Sequence, residues 1–310
     1  MRSGELSFTG PFTFFKADHL PLAEVPVSTL DVGVLGLPYD FAVGYRAGAR
    51  WAPGAVRRAS ARFALPPEGY YDLATGRRRL AGVRLADLGD VDPAQLEREE
   101  TFARVTEAAR SARRSCGLPV FVGGDHSLTF PLLRAYDDEP VHVLQFDAHL
   151  DYSDVRNATA YSNSSPFRRA VEAVPGITGI TVVGLRGMRF DQEAVTAARA
   201  RGHTSLGAEV VHGSIQEALN ALPSATRLYV SFDVDVIEPA ELPGTSSPEP
   251  GGLSFTQAVT LLGAAIARNR LVGLDLMELA PELDPSGRSE LLAARLLAEA
   301  LAAWWDARTP

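Results

Sequence analysis

The chain has 310 residues, 46% of them hydrophobic and 22% charged, with a formal net charge of −8. That is the composition of an ordinary globular protein, and no run nears the 18 or so apolar residues of a membrane span, so no membrane contact is expected. The acidic balance argues against nucleic acid, and the single Cys116 excludes an internal disulfide or a multi-cysteine zinc site. Lys16 is the only lysine and lies in an irregular N-terminal stretch, which leaves no lysine placed for Schiff-base or P-loop chemistry. The start MRSGELSFTGPFTFFK lacks the parts of a secretory signal, and a cytoplasmic protein is expected.

Short runs rich in Val, Leu and Ile recur at 32–37, 83–86, 120–122, 141–146, 180–185, 228–232 and 271–277. Most do not alternate with polar residues, as expected of strands covered on both faces. Helix-compatible stretches lie between them at 93–114, 128–136, 192–201, 214–222, 255–268 and 289–303. Strands alternating with helices give an α/β fold, a mostly parallel sheet with helices on both faces. No repeat or linker divides the chain, so residues 1–310 form one expected domain, with 1–30 as an N-terminal arm.

Three segments bring polar groups to the ends of such runs: GGDHS at 123–127, FDAHLD at 146–151 and SFDVDVIEP at 231–239. In sheets of this kind functional groups gather beyond the carboxyl ends of the strands. His126, Asp147, His149, Asp151, Asp233 and Asp235 are therefore expected at one rim, where uncompensated acids are costly unless a cation gathers them. Two imidazoles and four carboxylates are too many for one zinc ion and suit a pair of manganese-type ions. Asp147, His149 and Asp151 fall at i, i+2 and i+4, so the backbone must curve at the strand end to bring all three together. Asp125 is expected as a turn residue or a partner of His126. A lone D-x-D or D-x-H would read as a solvated acidic turn; the joint set reads as a metal centre.

In this order and spacing the three motifs resemble the ureohydrolase family of arginase, agmatinase and guanidinobutyrase, over nearly the whole chain. LGLPYD (35–40), GYRAGARWAPGAVRRAS (44–60) and GLDLMELAP (273–281) support the resemblance, and PGTSSPEPGG (243–252) is similar to the agmatinase branch. The resemblance implies a central eight-stranded parallel sheet, two manganese ions per subunit and a homo-oligomer, trimer or hexamer. One ion would be held by His126, Asp147, Asp151 and Asp233, and the other by His149, Asp147, Asp233 and Asp235. It further implies hydrolysis of a small cationic guanidino substrate to urea and an amine, with Asp151 passing a proton to the leaving nitrogen and Glu278 holding the guanidinium. Agmatine, giving putrescine for polyamine biosynthesis, is the expected substrate; guanidinobutyrate, guanidinopropionate and arginine are the alternatives. At 161–170 the chain reads YSNSSPFRRA, with Asn163 where agmatinases carry a histidine taken as a proton shuttle. Asn hydrogen-bonds but does not titrate near neutral pH, so either Asp151 and water suffice or the chain is a non-catalytic member. A one-zinc deacetylase fits less well, because such a site lacks the joint D-x-H-x-D and D-x-D set.

His142 is expected as a satisfied core residue, and His19, His203 and His212 as exposed. Trp304 and Trp305 are expected to pack or meet another subunit, Arg77–Arg79 to form a solvated turn, and Arg168 and Arg169 to form ion pairs at a subunit interface. Asp154 and Arg156, in the stretch expected to meet the substrate's far end, leave the sign of that end open.

Overall fold

The apolar runs form strands in the computed structural model of the chain, which describes residues 6–308. In chain order the strands are β1 (Asp18–His19), β2 (Leu30–Gly36), β3 (Tyr70–Asp72), β4 (Arg77–Arg79), β5 (Leu85–Asp90), β6 (Cys116–Val122), β7 (Val141–Phe146), β8 (Ile177–Leu185), β9 (Thr204–Gly207), β10 (Arg227–Asp233) and β11 (Arg270–Met277). The helices are α1 (Ala52–Ser60), α2 (Arg98–Ser115), α3 (Thr129–Leu133), α4 (Pro166–Ala173), α5 (Gln192–Ala200), α6 (Ala208–Gly213), α7 (Ile215–Ala221), α8 (Phe255–Arg268) and α9 (Arg288–Arg308).

Nine strands form one sheet in the order β1-β5-β2-β6-β11-β10-β7-β8-β9, and each neighbouring pair is parallel. The count exceeds the expected eight, and the two-residue β1 is a minimal edge strand of the nine. Side chains alternate across the sheet into two apolar layers. Val32, Val34, Leu118, Val120, Leu144 and Phe146 face α1, α8 and α9, whereas Leu35, Phe121, Val141 and Val143 face α2 and α5. Both faces are covered, which is why the strand runs carry no polar alternation. Among the described residues no helix is long and apolar enough to cross a membrane.

The N-terminal stretch is built into the core from Phe14 onward. Phe14 and Phe15 are 0% and 1% exposed, and their amides donate to Asp87 Oδ2 (3.1 Å) and Ser60 Oγ (2.9 Å). Residues 1–5 of the expected arm lie outside the described residues. The Arg77–Arg79 run is a strand, β4, paired antiparallel with β3 rather than a turn, and Arg77 and Arg78 are solvated as expected. Arg79 leaves solvent because α9 brings acids to it, with Asp306 at 2.8 Å and Glu299 at 3.5 Å. In the same helix Trp304 is buried and Trp305 Nε1 donates to Ala81 O, so both pack within the chain.

His142 donates or accepts at Thr181 Oγ1 (3.0 Å), as expected of a satisfied inner histidine. His203 differs from expectation: it is half-buried with its ring edge-on to Tyr152 (5.4 Å between centroids), and burial pushes it down to about 4. Arg168 pairs with Glu193 (2.8 Å) and Arg169 with Asp154 (2.6 Å), both within the chain.

Candidate metal centre and active site

The four central neighbours β6, β11, β10 and β7 supply the acids and imidazoles. Because they run parallel, their carboxyl ends share one rim. His126 follows β6, Glu278 follows β11, Asp233 closes β10, and Asp147 follows β7. Gly124 makes the turn after β6 possible: a Cβ there would lie 1.6 Å from Tyr39 O. That close approach lets Asp125 N donate to Tyr39 O and Glu278 N donate to Gly124 O, each at 2.9 Å. Asp125 is a turn residue, accepting from Ser127 N and Ala42 N (both 2.9 Å), and burial with the nearby Glu278 pushes it up to about 7.

All six candidate ligands converge. His126 Nδ1 lies 3.2 Å from Asp147 Oδ2, 3.0 Å from Asp151 Oδ2 and 3.1 Å from Asp233 Oδ2. His149 Nδ1 lies 2.9 Å from Asp235 Oδ2 and 3.6 Å from Asp147 Oδ1. Two overlapping groups result: His126, Asp147, Asp151 and Asp233, then Asp147, His149 and Asp235. Asp147 belongs to both. Asp233 joins the first through Oδ2, while its Oδ1 accepts Asp235 N (2.9 Å) and so caps the helical turn Val234–Val236 that carries Asp235.

The first group fits a cation. His126 Nδ1 is buried and makes no hydrogen bond, although three carboxylate oxygens stand around it. One proton cannot serve three acceptors. Adjacent corners of an octahedron with bonds of about 2.1 Å are about 3 Å apart, which is the separation found here.

The tautomer of His126 is fixed from behind. Ser231 Oγ donates to Asp275 Oδ1 (2.7 Å), so it accepts from His126 Nε2 at 2.9 Å, and Nδ1 keeps its lone pair for a metal. Asp275 is fully buried; burial pushes its pKa up, opposed by donors from Ser231, Tyr229 and Thr129. On β7, Gln145 Nε2 donates to Asp147 Oδ2 (2.7 Å) and holds that carboxylate in place. Sequence reasoning missed Gln145, Ser231 and this role of Asp275; their signal was a polar residue inside an otherwise apolar run.

Charge is concentrated by this packing. Burial opposes a charged His149, but Asp235 and Asp147 outweigh it and raise the imidazole to about 12. His126 is likewise raised well above its ordinary value, against burial, by Asp147, Asp151 and Asp233. Burial and the Asp147 carboxylate push Asp151 up to about 7.

Asp151 and Glu278 both have left-handed backbone, with φ of 48° and 64°. A non-glycine residue held there costs on the order of 1–3 kcal/mol and is concentrated at functional sites. At Asp151 this bend supplies the curvature that the i, i+2, i+4 spacing demanded. At Glu278 it turns the carboxylate over the site, where Oε1 accepts from His126 N (2.9 Å) and Asn163 Nδ2 (3.1 Å) and Oε2 from Ser246 Oγ (2.5 Å). Burial raises Glu278, and these three donors oppose the rise. Asn163 therefore acts on Glu278 directly, a contact that its replacement of the family's histidine did not foretell. A cleft opens above, lined by Asp151, Asn163, Asp233, Asp235 and Glu278 at its floor.

A parallel α/β sheet whose central strands end in two overlapping carboxylate–imidazole groups, with a buried glutamate beside them, defines a metal-dependent hydrolase of the sheet-rim type. The arginase family model matches residues 30–303, and the chain belongs to the arginase family. It is similar to the mitochondrial guanidino acid hydrolase of Homo sapiens, 31% identical over 91% of this chain and 82% of that protein. It is similar also to the mitochondrial agmatinase of Gallus gallus, 31% identical over 90% and 84%. Among solved structures, proclavaminate amidino hydrolase from Streptomyces clavuligerus superposes with a TM-score of 0.87 at 27% identity, covering 98% of this chain and 100% of that one. The chain is a guanidino-compound hydrolase, a ureohydrolase.

Proposed function

We propose that this ureohydrolase works with two manganese-type ions and releases urea from a guanidino compound held against Glu278. His126, Asp147, Asp151 and Asp233 would hold one ion, and Asp147, His149 and Asp235 the other. When bound, such a pair lowers the pKa of water and supplies a nucleophile at neutral pH. The chain's own residues supply the rest. Glu278 has roughly four acceptor sites, of which His126 N, Asn163 Nδ2 and Ser246 Oγ occupy three. The remaining lone pair is free for a guanidinium N–H, and the carboxylate cannot rotate away from it. Asp151, which belongs to the first ligand group, is placed to carry a proton to the leaving amine nitrogen. No titrating imidazole stands where Asn163 lies, so that transfer runs through Asp151 and solvent.

The observation that carries this reading is the orphaned Nδ1 of His126 facing three carboxylates within reach of Glu278. Agmatine, expected from the PGTSSPEPGG segment, and the guanidino acids named in a relative share the guanidinium and differ at the far end, so the reading covers both. Urea release by the manganese-loaded protein from a panel of guanidino compounds tests it. A loaded, folded protein that releases urea from none of them overturns the catalytic reading in favour of a non-catalytic member.

A further inference from the structure

We infer that the mouth of this cleft is an anion subsite, and that the substrate is a guanidino acid whose carboxylate is met by Arg156 and Arg189. The inference rests on the proposed guanidinium site at Glu278 and adds what stands at the other end of the substrate. Both arginines line the same cleft as Asp151, Asn163 and Glu278. Charge is divided by burial: Asp233, Asp235 and Glu278 are buried, whereas Arg156 is half-buried and Arg189 exposed.

The two arginines are not spent on the protein. Among the described residues neither side chain has an ion pair or a hydrogen bond, whereas the neighbouring Arg168 and Arg169 are engaged with Glu193 and Asp154. A third lining arginine, Arg186, is tied to the carbonyls of Asp235, Glu249 and Gly184 and is not available. Asp154, the acid on this stretch that would have welcomed an ammonium, is turned to Arg169 at 2.6 Å and does not line the cleft. Asp191 is the one carboxylate lining the mouth beyond the floor acids, and its Oδ1 already accepts Glu193 N (3.0 Å) as the cap of α5.

The backbone holds Arg156 in place. Arg156 N donates to Thr159 O (2.9 Å) and Thr159 N to Arg156 O (3.0 Å), closing a two-residue turn. Asn157 and Ala158 in that turn have φ of 53° and 59°, the left-handed pair of a tight hairpin turn. The opposing loop closes on it, since a Cβ on Gly44 would lie 2.3 Å from Asn157 Nδ2. Arginine presented from a fixed turn suits a carboxylate, which its planar fork can grip with two parallel hydrogen bonds. The second cation of agmatine would instead face two like charges, and like-charge juxtaposition rejects a wrong partner.

The test compares 4-guanidinobutyrate with agmatine on the manganese-loaded protein, by kcat/KM for urea release and by calorimetric binding. The expected result is a preference for the acid of roughly tenfold or more. Arg156→Glu combined with Arg189→Glu should lower that ratio by roughly a hundredfold, through KM more than kcat, while Arg156→Lys keeps most of it. The ratio within one preparation is unaffected by partial unfolding. Agmatine hydrolysed or bound as well as the acid, or a ratio that charge reversal leaves unmoved, overturns the inference and leaves the ureohydrolase reading standing. Preferential binding of the acid without any urea supports the subsite and removes the catalytic reading.

Discussion

Ser231→Ala should weaken metal binding at the His126 group without touching a ligand. The hydroxyl accepts His126 Nε2 at 2.9 Å and donates to Asp275 Oδ1 at 2.7 Å, so the change removes two buried hydrogen bonds at once. A buried donor left without a partner costs about 1–3 kcal/mol, and outer partners of metal-bound histidines are typically worth about 10–100-fold in affinity. The two figures agree, since tenfold is about 1.4 kcal/mol. Asp275 keeps Tyr229 Oη (2.8 Å) and Thr129 Oγ1 (2.9 Å), so its carboxylate stays held and the fold should survive. The assay is titration of Mn²⁺ into chelator-stripped protein, alongside thermal unfolding with and without metal. A 10–100-fold loss at one site, with the site at His149 nearly unchanged, is expected. Parental affinity accompanied by a lower melting temperature would show that Ser231 only packs, and that the tautomer of His126 is set by the metal itself.

Asp147→Ala should abolish binding at both sites, because Asp147 alone belongs to both ligand groups, whereas His126→Ala should weaken one; elemental analysis of dialysed protein distinguishes them. Glu278→Gln should retain metal while losing about 2–5 kcal/mol of transition-state binding, read as kcat/KM for urea release. Asn163→His should alter the rate and its pH profile more than the metal content, since it exchanges a fixed amide donor at Glu278 for a titrating ring; an unchanged profile refutes the shuttle argument. Metal affinity should rise with pH. Without metal both imidazoles are raised, His149 to about 12, so they hold protons at neutral pH that a metal must displace. Log affinity should therefore climb with pH, with proton release visible as a buffer-dependent heat; a flat profile between pH 6 and about 8 would contradict the raised values.

What could be read from the sequence was what leaves a periodic or motif signal. The runs that became β2, β7, β8, β10 and β11 are apolar, bounded by turns and legible nearly whole, whereas only 120–122 of β6 and 85–86 of β5 are legible, because Gly117 and Pro119 interrupt the first and polar residues follow Ala86 in the second. β9 (Thr204–Gly207) was not, because TSLG carries no such run. Helices α1 and α4 begin at Ala52-Pro53 and Pro166, and a proline in the first turn was the available cue. In the site, the six acids and imidazoles stood out because charge at the end of a buried strand is costly. Gln145 and Ser231 stand in the sequence only as polar residues within strand runs, since Ser231 gains its role when β11 brings Asp275 beside it and Gln145 when the segment after β7 curls back onto its amide. The left-handed backbone of Asp151 and Glu278 leaves no trace in residue type, since neither is glycine.

The order β6-β11-β10-β7 places the last strand of the chain between two that precede it. All six candidate ligands are present once residue 235 has been made, yet the sheet still has an open slot between β6 and β10. Until β11 fills it, no strand pairs with both β6 and β10, so the strands that carry His126 and Asp233, two spacings or about 10 Å apart in the finished sheet, are not held at that separation. The 3.1 Å approach of their side chains therefore waits for residues 270–277 to insert. A ribosome-bound chain stopped at residue 269 would carry every candidate ligand and no complete cation site, so retention of a divalent ion would report closure of the sheet rather than synthesis of those residues.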